Sequence, residues 1–247
     1  MIRLNDRIFV VASGRAGSNF TDPYDCDVYA VDTGEGVVLV DAGVGPEGED
    51  VLRELSKAGF VPGDVRLILL THGHADHSGN AAYLRKRTGA RVLAHPLCAR
   101  YVTEGDAKAI ALTSALRAGV YPAGYVFRAC PVEPIADSDA FTMGQTHWTA
   151  IDTPGHCSGH MCYLMEADGR RTLFAGDSIF VGGKITLQNI WDCSIPDYAR
   201  TADRLCELEF DALLPSHFGI DLNEGKRHCL RAKEIFDSLL VPPQANR

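Results

Sequence analysis

The sequence predicts an α+β protein in which two β-sheets pack face to face and helices cover the outside. Three observations predict it. Short valine-rich runs bounded by turn residues recur in both halves of the 247 residues, as strands do. In each half such runs alternate with helix patterns, and in each half one apolar run ends on an aspartate, "VVLVDAG" and "TLFAGDS", which hints at a duplicated β-rich unit. No Gly/Ser-rich linker divides the chain, so residues 1–247 are read as one domain whose layers share a core.

The elements follow in order. Arg7–Ala12, Asp27–Asp32 and Gly36–Asp41 are strand patterns, with "DTGEG" as the turn between the last two. Glu47–Ala58 sets Val51, Leu52 and Leu55 on one helical face and stops at Gly59. Arg66–Thr71 is an apolar, buried strand, Ser78–Thr88 a helix ended by Gly89, and "ARVLAH" a strand again. From Pro96 to Thr146 the strand rhythm lapses. This stretch is helical over Ala107–Ala118 and carries Tyr101, Tyr121, Tyr125 and Phe127, so we expect a helical cap insertion whose aromatics wall an apolar pocket. Strands resume with "HWTAIDT", "HMCYLME" and "RTLFAGD". A helix over Pro196–Leu208 has proline in its first turn. The strand "DALLPSH" and a helix from Asn223 to Leu239 complete the order, and the tail "VPPQANR" is expected to fray.

Composition narrows the function. With 46% hydrophobic and 23% charged residues the chain is an ordinary globular protein. Twenty-four Lys and Arg face 32 Asp and Glu, a net charge of -8, which disfavours binding to a phosphate backbone. "MIRLNDRIFVV" lacks the apolar stretch of a secretory signal, and no run is long enough to span a bilayer. The eight cysteines are scattered without a C-x-x-C pair, so free thiols in a reducing cytoplasm are expected. Only Cys157, which follows His156, adjoins a candidate metal ligand.

"LILLTHGHADHSGN", residues 67–80, runs from a strand into His72, His74, Asp76 and His77. Histidine is the commonest protein ligand for metals, and imidazole with carboxylate suits zinc, iron or manganese. Three further ligand-type residues stand at strand exits beside small or turn-forming residues. They are His156 in "IDTPGHCSGH", Asp177 in "LFAGDSIF" and His217 in "LLPSHFG". Loops held at strand ends are where rigid scaffolds display function.

The series "THGHADH", "PGH", "AGD" and "SHFG" separates His77 from His156 by 79 positions, His156 from Asp177 by 21 and Asp177 from His217 by 40. It resembles the metallo-β-lactamase-fold hydrolase superfamily across essentially the whole chain. The resemblance implies an αββα four-layer sandwich with a two-metal site at one edge of the sheets. It implies that His72, His74 and His156 hold one metal, that Asp76, His77 and His217 hold another, and that Asp177 bridges them. Asp41 stands behind the ligands in this likeness, and His160 is placed to orient one. Two Zn2+ are expected, with iron or manganese also suited to these donors. His95, His147 and His228 are expected to be structural or solvated.

Two metals about 3.5–4 Å apart can share a hydroxide, a nucleophile at neutral pH, and polarise a carbonyl or phosphoryl oxygen. Asp76 is the candidate catalytic group, ligating through one oxygen and accepting the water's proton on the other. No G-x-S-x-G elbow supplies a serine nucleophile. The bridging carboxylate departs from true β-lactamases and resembles glyoxalase II-type thioesterases, lactonases and phosphodiesterases. "LFAGDSIFVGGK" looks most like the thioesterase branch, in which Lys184 would reach a substrate carboxylate. The acyl-homoserine lactonases that the chain resembles place a tyrosine three positions after the bridging aspartate. Phe180 stands there instead, so Tyr121 or Tyr125 would have to supply the missing phenol at the substrate. The leading expectation is a dinuclear zinc hydrolase of a small ester, thioester or lactone. The alternatives are a mononuclear iron persulfide dioxygenase, a β-lactamase-like or phosphodiesterase activity, and a non-catalytic metal-binding module. The expected partner is a small molecule, without nucleic acid or membrane; a homodimer is compatible with the sequence.

Overall fold

The computed structural model describes residues 1–45 and 48–246. The chain forms two compact units, Met1–Ile135 and Ala136–Arg247.

The first unit is a seven-stranded sheet whose strands neighbour one another in chain order: β1 (Ile2–Arg3), β2 (Ile8–Ala12), β3 (Val28–Asp32), β4 (Val37–Val40), β5 (Val65–Leu69), β6 (Arg91–Ala94) and β7 (Glu133–Pro134). Strands β1 to β4 are antiparallel, whereas β4 to β7 run parallel. Connection length explains the change. Between β3 and β4 the chain reverses in a tight turn closed by Thr33, whose N–H and O–H both donate to the Gly36 carbonyl. Parallel neighbours instead need a crossover. Helix α1 (Glu49–Lys57) makes the first, α2 (Ala75–Ser78) with α3 (Ala81–Thr88) the second, and α4 (Pro96–Glu104) with α5 (Leu112–Arg117) the third. Every side chain of the run "VVLV" in β4 is buried, as a strand of a parallel sheet requires. Helix α1 buries Val51, Leu52 and Leu55, the face its spacing predicts, and these join Phe9, Leu39 and Ile68 in one core.

The second unit is a five-stranded sheet. β8 (Ala140–Met143), β9 (Thr146–Asp152), β10 (Met161–Ala167) and β11 (Arg170–Gly176) form an antiparallel meander. Helix α6 (Ile195–Cys206) then leads to β12 (Ala212–Pro215), which lies parallel to β11, and α7 (Lys226–Asp237) follows. Leu164, Leu173, Leu205 and Leu213 belong to its core. Both units therefore contain the same passage, an antiparallel strand, a helix and a parallel strand, and the two aspartate-ended runs occupy its first position.

Some expectations change. Glu47, expected to open the first helix, lies outside the described residues, and the helix begins at Glu49. The helix expected over 78–88 is two helices, because the N–H of Asn80 bonds the Gly43 carbonyl and not a carbonyl of its own turn. The stretch 96–146, expected to be helical over 107–118, is helical over 96–104 and 112–117. It holds α4 and α5, closes the first sheet with β7 and opens the second with β8. Helix α5 starts only at Leu112 because Ala111 adopts a left-handed φ of 56°, which no helical run tolerates. Residues 243–245 of the tail do not fray. The Ile185 N–H donates to the Pro243 carbonyl, Ala245 N–H to the Ile185 carbonyl, and Leu187 N–H to Gln244 Oε1. Among the described residues, no helix is long and apolar enough to cross a membrane.

Candidate metal centre

In the first unit the exit of β5 gathers the histidines. His72 and His77 are fully buried and His74 nearly so. Their rings touch, with centroids 4.5 Å apart for His72 and His74 and 4.0 Å for His72 and His77. Behind them lies Asp41, held just past β4 in a left-handed conformation. Its Oδ1 accepts the Thr71 N–H at 2.7 Å, its Oδ2 lies 2.9 Å from the Thr71 hydroxyl, and Oδ2 also lies 2.8 Å from His77 Nδ1. A carboxylate only accepts, so Nδ1 of His77 carries the proton and Nε2 is left as the donor atom for a metal. The Thr71 hydroxyl has one proton, which it gives to Asp41. It therefore accepts from His72 Nδ1, 3.1 Å away, and orients that ring in the same sense.

His77 Nε2 lies 3.4 Å from Asp76 Oδ2. That is beyond an ordinary hydrogen bond, but two donors on one tetrahedral zinc are separated by about 3.4 Å when each bond is about 2.1 Å. The other oxygen of Asp76 is engaged. Tyr121 Oη donates to Oδ1 at 2.8 Å and accepts the Asp76 N–H at 3.3 Å. Burial, then the adjacent Asp76 carboxylate, pushes the Tyr121 phenol well above its ordinary pKa, which keeps it a donor. The oxygen expected to accept the water's proton is thus also the one that accepts the Tyr121 hydrogen bond.

In the second unit Asp177 follows β11. Its N–H donates to His160 Nε2 at 3.0 Å, and His160 Nδ1 lies 2.8 Å from Thr153 Oγ1. Because Nε2 accepts, the proton of His160 sits on Nδ1, and this neutral ring ties down the backbone of Asp177. The Asp177 carboxylate reaches two imidazoles, with Oδ2 3.6 Å from His156 Nε2 and Oδ1 3.7 Å from His217 Nε2. His156 Nδ1 faces the Thr186 carbonyl at 3.4 Å and Tyr198 Oη at 3.3 Å, while Tyr198 donates to Thr186 at 3.0 Å. Tyr198 was not foreseen. Its one trace in the sequence is Gly155 of "PGH", where a Cβ would stand 2.7 Å from the Tyr198 ring and φ is 140°, so only glycine fits.

Imidazole nitrogens and carboxylate oxygens spaced at 3.4–3.7 Å, with the far ring nitrogens of His77 and His156 turned to their own supports, suit divalent ions in each unit. The family model of the metallo-beta-lactamase superfamily matches residues 21–217. The chain belongs to this superfamily. A hydroxyacylglutathione hydrolase of Methylobacterium nodulans is 29% identical over 177 residues, 72% of this chain and 52% of the relative. The atrochrysone carboxyl ACP thioesterase nsrC of Aspergillus novofumigatus is 27% identical over 171 residues, 66% of this chain and 41% of the relative. The chain thus spans about half the length of the curated relatives it matches. A metallo-β-lactamase structure from Cronobacter sakazakii aligns with a TM-score of 0.75 over 96% of both chains at 21% identity, a likeness of fold. The metallo-β-lactamase fold, an α+β architecture, is thereby established, and with it the capacity of the superfamily to bind divalent metal.

The remaining positions divide clearly. Phe180 is fully buried with its ring 5.4 Å from that of Phe218, so it packs inside and presents no surface to a substrate. Lys184 is half-exposed, and its carbonyl accepts the Phe180 N–H at 2.9 Å. Tyr125 stacks on Tyr121 at 5.5 Å. None of the eight cysteines is in a disulfide. His95 caps α4 by accepting the Leu97 N–H, His147 meets Thr142 across β8 and β9, and His228 links the Gly182 N–H to Asp221. Those three serve the structure, as expected.

Proposed function

We propose that this chain is a dinuclear zinc hydrolase of small thioesters and esters. The ligands are those its motifs imply: His72, His74 and His156 for one ion, Asp76, His77 and His217 for the other, and Asp177 for both. One observation carries the reading. The two oxygens of Asp177 face Nε2 of two different histidines at 3.6 and 3.7 Å, the disposition a bridging carboxylate needs. Ions bound there would lower the pKa of water and polarise the substrate carbonyl. The chain's own residues set the donors. Asp41 aims His77, Tyr198 and the Thr186 carbonyl aim His156, and His160 holds Asp177 in place.

The names of the two relatives, a hydroxyacylglutathione hydrolase and a thioesterase, favour thioesters within this class. Lys184 is the cation proposed to meet a substrate carboxylate. Lactones rank lower because Phe180 lacks a phenol and the Tyr121 hydroxyl is bonded to Asp76. A missing oxyanion donor costs about 10²–10³ in rate, so acyl-homoserine lactones should turn over poorly.

The test is metal analysis of protein purified without added metal, followed by rates on thioesters, esters, lactones and β-lactams. Two zinc ions per chain and zinc-dependent thioester cleavage are expected. A single iron with sulfur oxidation would establish the dioxygenase alternative, and protein that takes up no metal would sink both.

A further inference from the structure

We propose that Tyr121 is the positioning residue of Asp76, so that the excursion between β6 and β7 supports a metal ligand. This rests on the reading of Asp76 as a ligand. Tyr121 makes two bonds to the same residue, donating to Oδ1 at 2.8 Å and accepting the N–H at 3.3 Å. Both are needed for physical reasons. A carboxylate turns about χ2 in a broad, two-fold well, so its two oxygens exchange unless one is held. With Oδ1 bound to the phenol, Oδ2 is the oxygen facing His77 Nε2 at 3.4 Å.

The backbone bond addresses a second weakness. Helix α2 has only four residues, too few to persist without tertiary support. The tyrosine itself is well anchored. It is 8% exposed, stacks on Tyr125 at 5.5 Å with planes 26° apart, and meets Tyr24 at 6.0 Å. Ala75, Val44, Ile110 and Leu112 pack in the same cluster.

The experiment is a calorimetric zinc titration of the metal-free chain and of Tyr121→Phe, which keeps the ring and its stack. The wild type should take up two ions. The variant should keep one at wild-type affinity and bind the other about 10–100-fold more weakly, while the unfolding midpoint of the metal-free protein stays close to wild type. A role in packing alone would lower that midpoint and spare the ratio of the two affinities. Two ions bound by the variant as tightly as by the wild type would overturn the inference. A wild type that takes up no ion would overturn the functional reading itself and this inference with it.

Discussion

Asp41 and Asp177 occupy the same position in two copies of one structural passage, yet their surroundings differ. Each follows an antiparallel strand, β4 or β11, whose other neighbour is the parallel strand reached through a helix. The backbone turns left-handed at both exits, at Asp41 itself with φ 64° and at Gly176, one residue before Asp177, with φ 51°. The carboxylate of Asp41 accepts hydrogen bonds at 2.7 to 3.0 Å from Thr71 and His77 Nδ1. That of Asp177 stands 3.6 and 3.7 Å from two Nε2 atoms. A strand exit presents a carboxylate in both cases. The groups that reach it decide whether it is tied into hydrogen bonds or stands 3.6–3.7 Å from imidazole nitrogens.

The largest effect should separate the two roles. Asp177→Asn is expected to lower activity by more than the about 10–100-fold typical of groups behind a metal ligand. It should leave the metal-free protein within about 1 kcal/mol of wild type. Steady-state rates and chemical denaturation in chelator measure both quantities, and a variant that retains zinc and turnover would erase the distinction.

Asp41→Ala should do the reverse in metal-free protein. It strips a buried acceptor from Thr71 and His77, and each buried donor left unsatisfied costs about 1–3 kcal/mol. Denaturation of the metal-free variant at wild-type midpoint would show that Asp41 is no support.

A third buried aspartate sharpens the comparison. Asp25 is 4% exposed, and burial pushes its carboxyl up to about 6 despite bonds from Thr21, Val44 and Gly45. Its folded pKa thus exceeds the unfolded value, so the proton stabilises the fold. This stability is complete below about pH 4 and is lost as the pH rises through about 6, a change of about 3 kcal/mol. Carbon-detected NMR of the aspartate carboxyls should find a midpoint near 6. One near the ordinary aspartate value would mean that the hydrogen bonds outweigh burial.

The smallest effect concerns the support of His156. Tyr198→Phe removes the hydroxyl 3.3 Å from Nδ1 and should cost about tenfold in zinc affinity or activity. Zinc competition with a chelator dye resolves such a difference, and an unchanged affinity would assign the orientation of His156 to the Thr186 carbonyl alone.

Much of this was legible in the chain itself. Strands β4, β5, β11 and β12 announce themselves as apolar runs, and the residues just beyond them, Asp41, His72, Asp177 and His217, lie where those runs stop. Side chains there inherit their place from the strand, so a local pattern is enough. Helix α1 likewise follows from Val51, Leu52 and Leu55, and Gly155 betrays a close approach without saying to what.

Tertiary structure decided the rest. Tyr121 meets Asp76 across 45 residues, Tyr198 meets His156 across 42, and the Gln244 side chain meets Leu187 across 57. Such partners are chosen by how whole helices and sheets pack, which no local periodicity records. Phe180 shows the same limit, since its ring could have faced a substrate or the interior and packing against Phe218 turned it inward. The sequence by itself determined the fold and the order of the ligand-type residues along the chain, because apolar strand runs and the residues that end them are local patterns. Which oxygen of Asp76 is held, and which nitrogen of His77 or His156 is turned to its support, depended on hydrogen bonds between distant segments, and only the folded chain supplies them.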